Sequence, residues 1–396
     1  MNRARLIVAL LTCALALASP GAAVAQEVPE LQINSSRYIL VDADTGEVYA
    51  QRDAHERVAI ASLTKIFTAV QAISMAPLDT PITTDESDLR GADSTTMGFG
   101  PNETYTLEDM IYGMMLPSGN DAAHAIARTL GGRPGDTPEQ AVERFMALLN
   151  QRVQDMGLRD THLITPDGWG VPGHYSSAWD VAAFMRYALQ FPFLVDVMGT
   201  RSYTTSNGLI TVTNTNKMMN SYAPLLAGKT GYDNDAGWCL VNVAEAEDGT
   251  RMIAVTLDGV APDDWYDDNR VLLDYGFERK GELARTGAAF SGDIVAFTDP
   301  AAAELARISE PDVALTGAVV GDAGRTASTA AGGPAGTDGR PSRANVQPEA
   351  SRGPWLAALA AIALVGVRGA RHWRDSAPAP APHPTRRYVD TSGRRS

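Results

Sequence analysis

Ser62 and Lys65 have the residue types and the spacing of a nucleophile and its base. Residues three apart on a helix share a face, so the lysine amine can reach the serine hydroxyl. A serine hydroxyl is a weak nucleophile until a base takes its proton. Lysine is such a base only when burial or a second cation lowers its pKa enough to leave it neutral. The start of a helix also directs backbone N–H groups at developing negative charge. The pair therefore predicts acyl transfer through a covalent intermediate.

The Ser62–Lys65 spacing alone is weak evidence, because roughly one such pair is expected by chance in a chain of this size. Without further support it indicates a helix cap and a solvated lysine. Lysine usage strengthens the catalytic interpretation, since only four of the 33 basic residues are lysines, namely Lys65, Lys217, Lys229 and Lys280. Arginine cannot act as a base at neutral pH, whereas lysine can. In a chain that prefers arginine, a lysine therefore indicates a site where an arginine side chain could not perform the required chemistry.

Two further motifs accompany this pair. Ser118-Gly119-Asn120 follows Pro117, in a loop where a hydroxyl and an amide can face a cleft. Lys229-Thr230-Gly231 precedes a strand-like run. Its lysine and threonine can bind a substrate carboxylate, and its glycine allows a substrate backbone to approach closely. Each motif alone is more often a turn or a strand end, but all three in this order are difficult to explain by chance.

Other catalytic and binding patterns do not stand out in the sequence. No histidine lies in a metal-ligand spacing such as HExxH, no serine lies in a GxSxG elbow, and no glycine-rich phosphate loop is evident. We therefore predict neither a metal nor a cofactor. The net charge of −14 argues against nucleic acid as a partner. Cys13 and Cys239 are the only cysteines, and the apolar run around Cys239 predicts a buried core residue rather than a catalytic thiol.

With these motifs the sequence resembles the serine penicillin-binding proteins and β-lactamases, whose signature is SxxK, SxN and KTG. More narrowly, it is similar to the low-molecular-mass D-alanyl-D-alanine carboxypeptidases. The resemblance runs from about Ser36 to Phe277. It extends beyond the three motifs to residues 41–46, 116–123, 174–178, 229–232 and 273–277.

The resemblance implies a set of catalytic roles. Ser62 would be acylated, and Lys65 would be the base, with Lys229 helping to keep it neutral. Ser118 would relay a proton to the leaving amine. The backbone N–H groups of Ser62 and Tyr232 would form the oxyanion hole.

The resemblance also implies how substrate is held. Asn120 would bind a substrate amide, and Lys229 and Thr230 would bind the terminal carboxylate beside Gly231. The expected reaction is removal of the terminal D-alanine from peptidoglycan stem pentapeptides, with β-lactam antibiotics such as penicillin as covalent inhibitors. Some relatives carry an arginine after the KTG strand pair that assists carboxylate binding, whereas the comparable stretch here reads Asp263-Asp264-Trp265-Tyr266.

Three alternatives stay open. The same motifs would serve a D,D-endopeptidase that cuts peptidoglycan cross-links. A β-lactamase needs fast deacylation, commonly by a glutamate in an ExxLN pattern between SxN and KTG. The only glutamates between those motifs, Glu139 and Glu143, lack that pattern, so we expect slow hydrolysis of penicillin. A non-catalytic wall-binding module is opposed by the retention of all three motifs.

The hydrophobic pattern predicts an α+β fold, with helices inserted between strands of a mainly antiparallel sheet. Asp44-Thr45-Gly46 marks a hairpin, and helices should start near Ser62, Asp121 and Ser177. Capping boxes at residues 106–109 and 137–140 should open two more. The resemblance specifies this as a β-lactamase/transpeptidase-like fold, an antiparallel sheet flanked by helices with an inserted helical subdomain.

The termini predict export and anchoring. Residues 1–25 have the form of a signal peptide with cleavage after Ala25, the alternative being a retained anchor. The catalytic domain is predicted at 35–277, followed by a short C-terminal extension at 278–315 and a disordered linker at 316–354. Residues 355–370 are predicted to form a transmembrane helix, the alternative being a helix that lies on the membrane or against the protein. Residues 371–396 are predicted to be a basic Pro-rich cytoplasmic tail. The expected location is the outer face of the cytoplasmic membrane.

Overall fold

A computed structural model of the chain describes residues 31–260 and 264–303, all of which belong to one unit. Its strands are β1 Arg37–Asp42, β2 Val48–Arg52, β3 Pro81–Thr83, β4 Thr104–Thr106, β5 Ser202–Thr204, β6 Thr211–Thr213, β7 Leu225–Asp233, β8 Gly237–Glu245 and β9 Arg251–Gly259. Its longer helices are α1 Thr64–Met75, α2 Leu107–Met115, α3 Asn120–Gly131, α4 Pro138–Asp155, α5 Ala178–Ala188, α6 Pro192–Gly199 and α7 Asp264–Thr286.

Five strands form the central sheet, in the order β2-β1-β9-β8-β7, and every neighbouring pair is antiparallel. Strand β7, which carries the KTG motif, therefore lies at an edge of this sheet. An edge strand leaves backbone N–H and C=O groups available to another extended chain.

Alternation of side chains along the strands explains why both faces of the sheet are covered. Ile39 and Val41 of β1 point into the larger core, which α1 and α5 also fill. Tyr38 and Leu40 point to the opposite face and pack in a second core under α7. A sheet covered on both faces restricts the register of its strands, because a slip by one residue would exchange the side chains that face the two cores.

The predicted fold class is confirmed. Helices α1 to α6 are inserted between β2 and β7, and the sheet is flanked by α7 on one face and by inserted helices on the other. The local signals are confirmed as well. Thr106 and Thr137 both form capping boxes, and the segment around Asp44 turns between β1 and β2.

Helices α6 and α7 were not predicted. In α7 the buried residues Trp265, Leu272, Leu273 and Gly276 follow helical spacing, but many charged residues surround this narrow apolar face. The helix is continuous through residue 277, so the predicted domain boundary falls inside it.

The chain after α7 returns to the sheet. Val48 donates its backbone N–H to Asp293, and Val295 donates to Gly46 at 2.8 Å. Val295 is fully buried in the larger core. The described part of the predicted C-terminal extension thus packs on the same body as the catalytic domain.

Cys239 is confirmed as a buried core residue, and burial raises its thiol pKa to about 12. The predicted signal peptide, linker, transmembrane helix and tail lie outside the described residues. In the ranges that the structure covers, no single helix has the length and apolar character of a membrane span, although the bent pair of α5 and α6 meets that test jointly on length and composition.

Candidate active site

Ser62 lies in a short 3₁₀ turn, Ala61–Leu63, immediately before α1. The predicted helix therefore begins at Thr64, and the serine lies just ahead of its N-terminus. Ala61 has a φ of 44°, in the left-handed region that residues with a side chain rarely adopt. Such strain persists only where the surroundings enforce it. The backbone at Gly231 packs closely against this turn, since a Cβ there would lie only 3.1 Å from the Ser62 nitrogen.

Lys65 is fully buried and makes three contacts through its amine. Its Nζ lies 2.7 Å from Ser62 Oγ, 2.6 Å from Asn120 Oδ1 and 2.8 Å from the backbone oxygen of Asp167. Burial lowers its pKa to about 8, although the Asp167 and Asp121 carboxylates act in the opposite direction. About a tenth of this amine is therefore neutral at pH 7.

Ser118 and Lys229 form a second hydroxyl–amine pair. Lys229 Nζ donates to Ser118 Oγ and to the backbone oxygen of Thr230, both at 2.9 Å. Lys229 is buried, and burial followed by the charge of Lys65 lowers its pKa well below the ordinary value. Ser118 has a φ of 65°, so it too is held in the left-handed region. For Lys65 the main cause of the lowered pKa is burial itself, rather than the charge of Lys229 that the family resemblance implied.

Asn120 contacts the first of these pairs through Lys65. Its Oδ1 accepts from Lys65, and its Nδ2 donates to Ser94 Oγ at 2.7 Å. The preceding turn is fixed by Thr95, whose hydroxyl donates to the backbone oxygen of Ser118. One hydrogen on Asn120 Nδ2 is left over after the bond to Ser94, since an amide nitrogen carries two.

A loop that the sequence analysis did not single out lies beneath the nucleophile. Asp167 is buried, and its Oδ2 lies 3.2 Å from His124 Nε2. Burial alone would raise the pKa of Asp167. The hydrogen bond to His124, followed by the charge of Lys65, outweighs burial and brings this pKa below its ordinary value. Gly168 has a φ of 82°, and a Cβ there would lie 1.9 Å from the Ala61 oxygen. No sequence motif indicated this loop, because its contact with Lys65 joins residues 102 positions apart and forms only when the chain folds.

His174 links the segment that leads into the Asp167 loop to the start of α1. Its Nδ1 accepts the backbone N–H of Ile164 at 3.1 Å, and its Nε2 lies 2.9 Å from Thr64 Oγ1. A ring nitrogen that accepts is unprotonated, so Nε2 carries the hydrogen and donates it to the threonine. Burial lowers the pKa of His174 to about 4, consistent with a neutral structural imidazole.

The predicted residues meet at a cleft of about 660 Å³. Those that line it are Ser62, Ser118, Asn120, Thr230, Gly231 and Tyr232. Lys65 and Lys229 are buried behind its wall, each bonded to a serine. The structure thus brings every predicted site residue together, but it places Thr230 and not Lys229 at the surface that a substrate carboxylate would touch.

The end of the cleft near Thr230 contains residues to which the sequence motifs gave no role in the site. Thr215 Oγ1 lies 2.8 Å from Thr230 Oγ1, and Lys217 lines the same space. Trp265 belongs to the stretch that was compared in the sequence with the arginine-bearing segment of some relatives, and its ring centre is 5.1 Å from that of Trp238. Trp265 and Tyr266, with ring centres 3.9 Å apart, form an aromatic wall of the cleft. Only β-strand register and the α7 contact bring these residues beside the motif.

Glu139 and Glu143 lie on α4 and line a separate cavity rather than the catalytic cleft. In the described ranges there is no group of three histidine, cysteine or acidic residues that could hold a metal. The side chains that line the cleft offer hydroxyls, amides, an amine and the carboxylates of Asp93 and Asp233.

A serine bonded to a buried lysine, at the junction of a helical layer and an antiparallel sheet edge, defines an acyl-transfer hydrolase of the serine type. Comparison with family models narrows this class. The chain belongs to the Peptidase_S11 family, D-alanyl-D-alanine carboxypeptidase, whose model matches residues 22–261. The resemblance drawn from the motifs is confirmed, and the chain is a serine-type peptidase of the carboxypeptidase and penicillin-binding group.

Named relatives agree with this assignment. The chain is 29% identical over 247 residues to D-alanyl-D-alanine carboxypeptidase DacB2 of Mycobacterium tuberculosis, covering 61% of this chain and 81% of the relative. It is 30% identical over 260 residues to DacF of Bacillus subtilis, covering 63% and 64%. Among solved structures it is similar to the Streptomyces K15 DD-transpeptidase, with a TM-score of 0.60 at 28% identity, covering 63% of this chain and 100% of that one.

Proposed function

We propose that this enzyme removes the terminal D-alanine from peptidoglycan stem pentapeptides through an acyl-Ser62 intermediate. The observation that carries the proposal is the set of contacts at Lys65. A neutral amine has two N–H groups and one lone pair. Asn120 Oδ1 and the Asp167 backbone oxygen can accept both N–H groups, which leaves the lone pair facing Ser62 Oγ at 2.7 Å.

The reaction follows from this arrangement. Lys65 takes the Ser62 proton as the oxygen attacks the carbonyl between the two alanines, and the backbone N–H groups of Ser62 and Tyr232 stabilise the oxyanion. When the peptide bond breaks, Ser118 gives its proton to the leaving amine, and Lys65 passes the Ser62 proton on to Ser118, whose oxygen is held by Lys229. Lys65 is then neutral again. Water attacks the acyl-serine and gives a proton to Lys65, which returns it to Ser62 as the acyl bond breaks and the shortened peptide leaves.

Substrate would bind as an added strand beside β7, whose outer edge faces the cleft. The spare hydrogen on Asn120 Nδ2 suits a carbonyl of the acyl-donor peptide. The paired hydroxyls of Thr215 and Thr230 suit the terminal carboxylate, with Lys217 as the cation in the same space. This assignment replaces the direct contact to Lys229 that the family resemblance implied.

Penicillin would acylate the same serine, because its lactam carbonyl takes the place of the scissile peptide carbonyl. Release should be slower than in a β-lactamase, since Glu139 and Glu143 lie on α4 and do not line the cleft, so neither can assist Lys65 in activating the deacylating water.

The test is the Ser62→Ala variant, with Ser74→Ala near the end of α1 as the matched control. Wild type and S74A should take up fluorescent penicillin and release D-alanine from a pentapeptide, whereas S62A should do neither. Persistent labelling of S62A would refute the assignment of Ser62 as the nucleophile.

A cross-linked peptide dimer assayed in parallel distinguishes carboxypeptidase from endopeptidase activity. Faster cutting of the dimer than of the pentapeptide would overturn the preference proposed here. Rapid turnover of a chromogenic cephalosporin would favour a β-lactamase instead.

We also propose that the enzyme acts outside the cytoplasmic membrane, exported by residues 1–25 and held there by residues 355–370. The composition of these two segments supports this location. The full chain should fractionate with membranes and be labelled by penicillin in intact spheroplasts. A chain ending at residue 315 should instead be exported in soluble form. Recovery of the full chain from the cytosol would contradict the proposal.

A further inference from the structure

We propose that an outer groove beyond Asn120 binds the part of the stem peptide upstream of the scissile bond, and that Arg90 recognises a free carboxylate on it. The inference rests on the proposed function and specifies which peptides the site prefers. The outer groove consists of two cavities, an inner one of about 350 Å³ and a distal one of about 700 Å³.

The outer groove adjoins the catalytic cleft, because neighbouring cavities share wall residues. The inner cavity shares Asp93, Asn120 and Trp169 with that cleft. It shares Arg90 and His124 with the distal cavity. Because Asn120 is the residue placed to hold the acyl-donor amide, the chain upstream of that amide is the part of the peptide that would enter the groove.

The inner cavity is of a size that fits this role. A space of 350 Å³ is about 7 Å across, which is the span of two extended residues. Trp169 stands at its mouth with 48% of its surface exposed, as a flat apolar surface for a peptide to lie on. A peptide whose D-alanines fill the catalytic cleft would thus bring its second residue near Arg90.

The positive charge of Arg90 makes the outer groove suitable for one carboxylate of a bound peptide. Arg90 Nη1 donates to the backbone oxygens of Ser87 and Leu89, and no described carboxylate lies within ion-pair distance of its guanidinium. The nearby Arg128 differs, because its guanidinium is paired with the buried Asp88 at 2.7 Å. Arg90 is therefore anchored and keeps donors for a bidentate contact with an anion.

The other charges confine the carboxylate to Arg90. Asp93, at the junction with the catalytic cleft, would repel it there, and Glu139 and Glu143 would repel it farther along the distal cavity. His124 is already bonded to Asp167. The preferred peptide is then one with a free carboxylate about two residues before the reacting alanine.

The experiment compares two N-acetylated peptides. One is L-Ala-γ-D-Glu-L-Lys-D-Ala-D-Ala, with the glutamyl α-carboxylate free, and the other has that carboxylate as a primary amide. Wild type should favour the acid in kcat/KM by about tenfold, as expected for a charged hydrogen bond. Arg90→Gln should bring the ratio to about one, and Arg90→Lys should keep part of the preference. Arg159→Gln, at an exposed arginine outside these cavities, should keep the wild-type ratio.

A wild-type ratio near one, or an unchanged ratio in R90Q, would overturn the proposal. Calorimetric binding of both peptides to S62A, with and without R90Q, measures the same preference without turnover. If wild type fails to cut either peptide, the proposed function fails, and the binding ratio still decides the role of Arg90.

Discussion

Lys65 can serve as a base because burial lowers its pKa more than the nearby carboxylates of Asp167 and Asp121 raise it. Two carboxylates raise its pKa, yet the net value is about 8. The neutral amine still has acceptors for both N–H groups, so no polar atom of the functional form is left unsatisfied. An arginine in the same position would stay charged and would have no lone pair to offer.

The rate of Ser62 acylation should therefore depend on pH with a defined sign. The base works in its neutral form, so below the pKa the rate should fall about tenfold for each pH unit, and it should level off above pH 8. Stopped-flow labelling with fluorescent penicillin between pH 6 and 9 measures this profile. Lys65→Arg should show no acylation across the range. A flat profile, or an active K65R, would remove the base role from this lysine.

At the scale of elements, the site depends on how closely β7 packs against the 3₁₀ turn that carries the nucleophile. Gly231 allows that approach, since a Cβ would meet the Ser62 nitrogen and the Ile60 oxygen at 3.1 Å. The turn is already strained at Ala61. A small displacement of the strand would therefore move the serine and the oxyanion donors together.

Gly231→Ala should lower the acylation rate by roughly tenfold or more, because the strand must shift by a few tenths of an ångström. Gly281→Ala is the control, at a glycine in α7 where an added Cβ meets nothing within 4 Å. That variant should keep the wild-type rate and gain about 1 kcal/mol in free energy of unfolding. Equal acylation rates for both variants would show that the close contact between β7 and the 3₁₀ turn does not control the rate of Ser62 acylation.

At the scale of the whole molecule, α7 closes the domain by holding its N-terminal end. Asp268 is buried, and its carboxylate accepts the backbone N–H of Asn34 at 2.9 Å and the N–H and hydroxyl of Ser35 at 2.7 and 2.6 Å. These contacts join residues more than 230 positions apart. They bring the segment before β1, the first strand in the described ranges, against α7, the last long helix in those ranges.

Asp268→Ala should lower the free energy of unfolding by about 3 kcal/mol, because it leaves buried donors without an acceptor. Urea unfolding followed by circular dichroism measures the change. Glu278→Ala, at an exposed site on the same helix, should stay within about 0.5 kcal/mol of wild type. A small effect at Asp268 would mean that the N-terminal segment is held mainly by packing.

The sequence by itself determined the identity of the reacting groups, since SxxK, SxN and KTG specify hydroxyls, amines and an amide by residue type. It also predicted the α+β class and the capped helices, because caps and periodicity act over a few residues. The loop around Asp167, the Thr215–Thr230 pair and the position of Lys229 behind the cleft wall were decided by the tertiary structure alone. Each depends on contacts between residues far apart in the chain, and burial, which sets the pKa of Lys65, exists only once those contacts form.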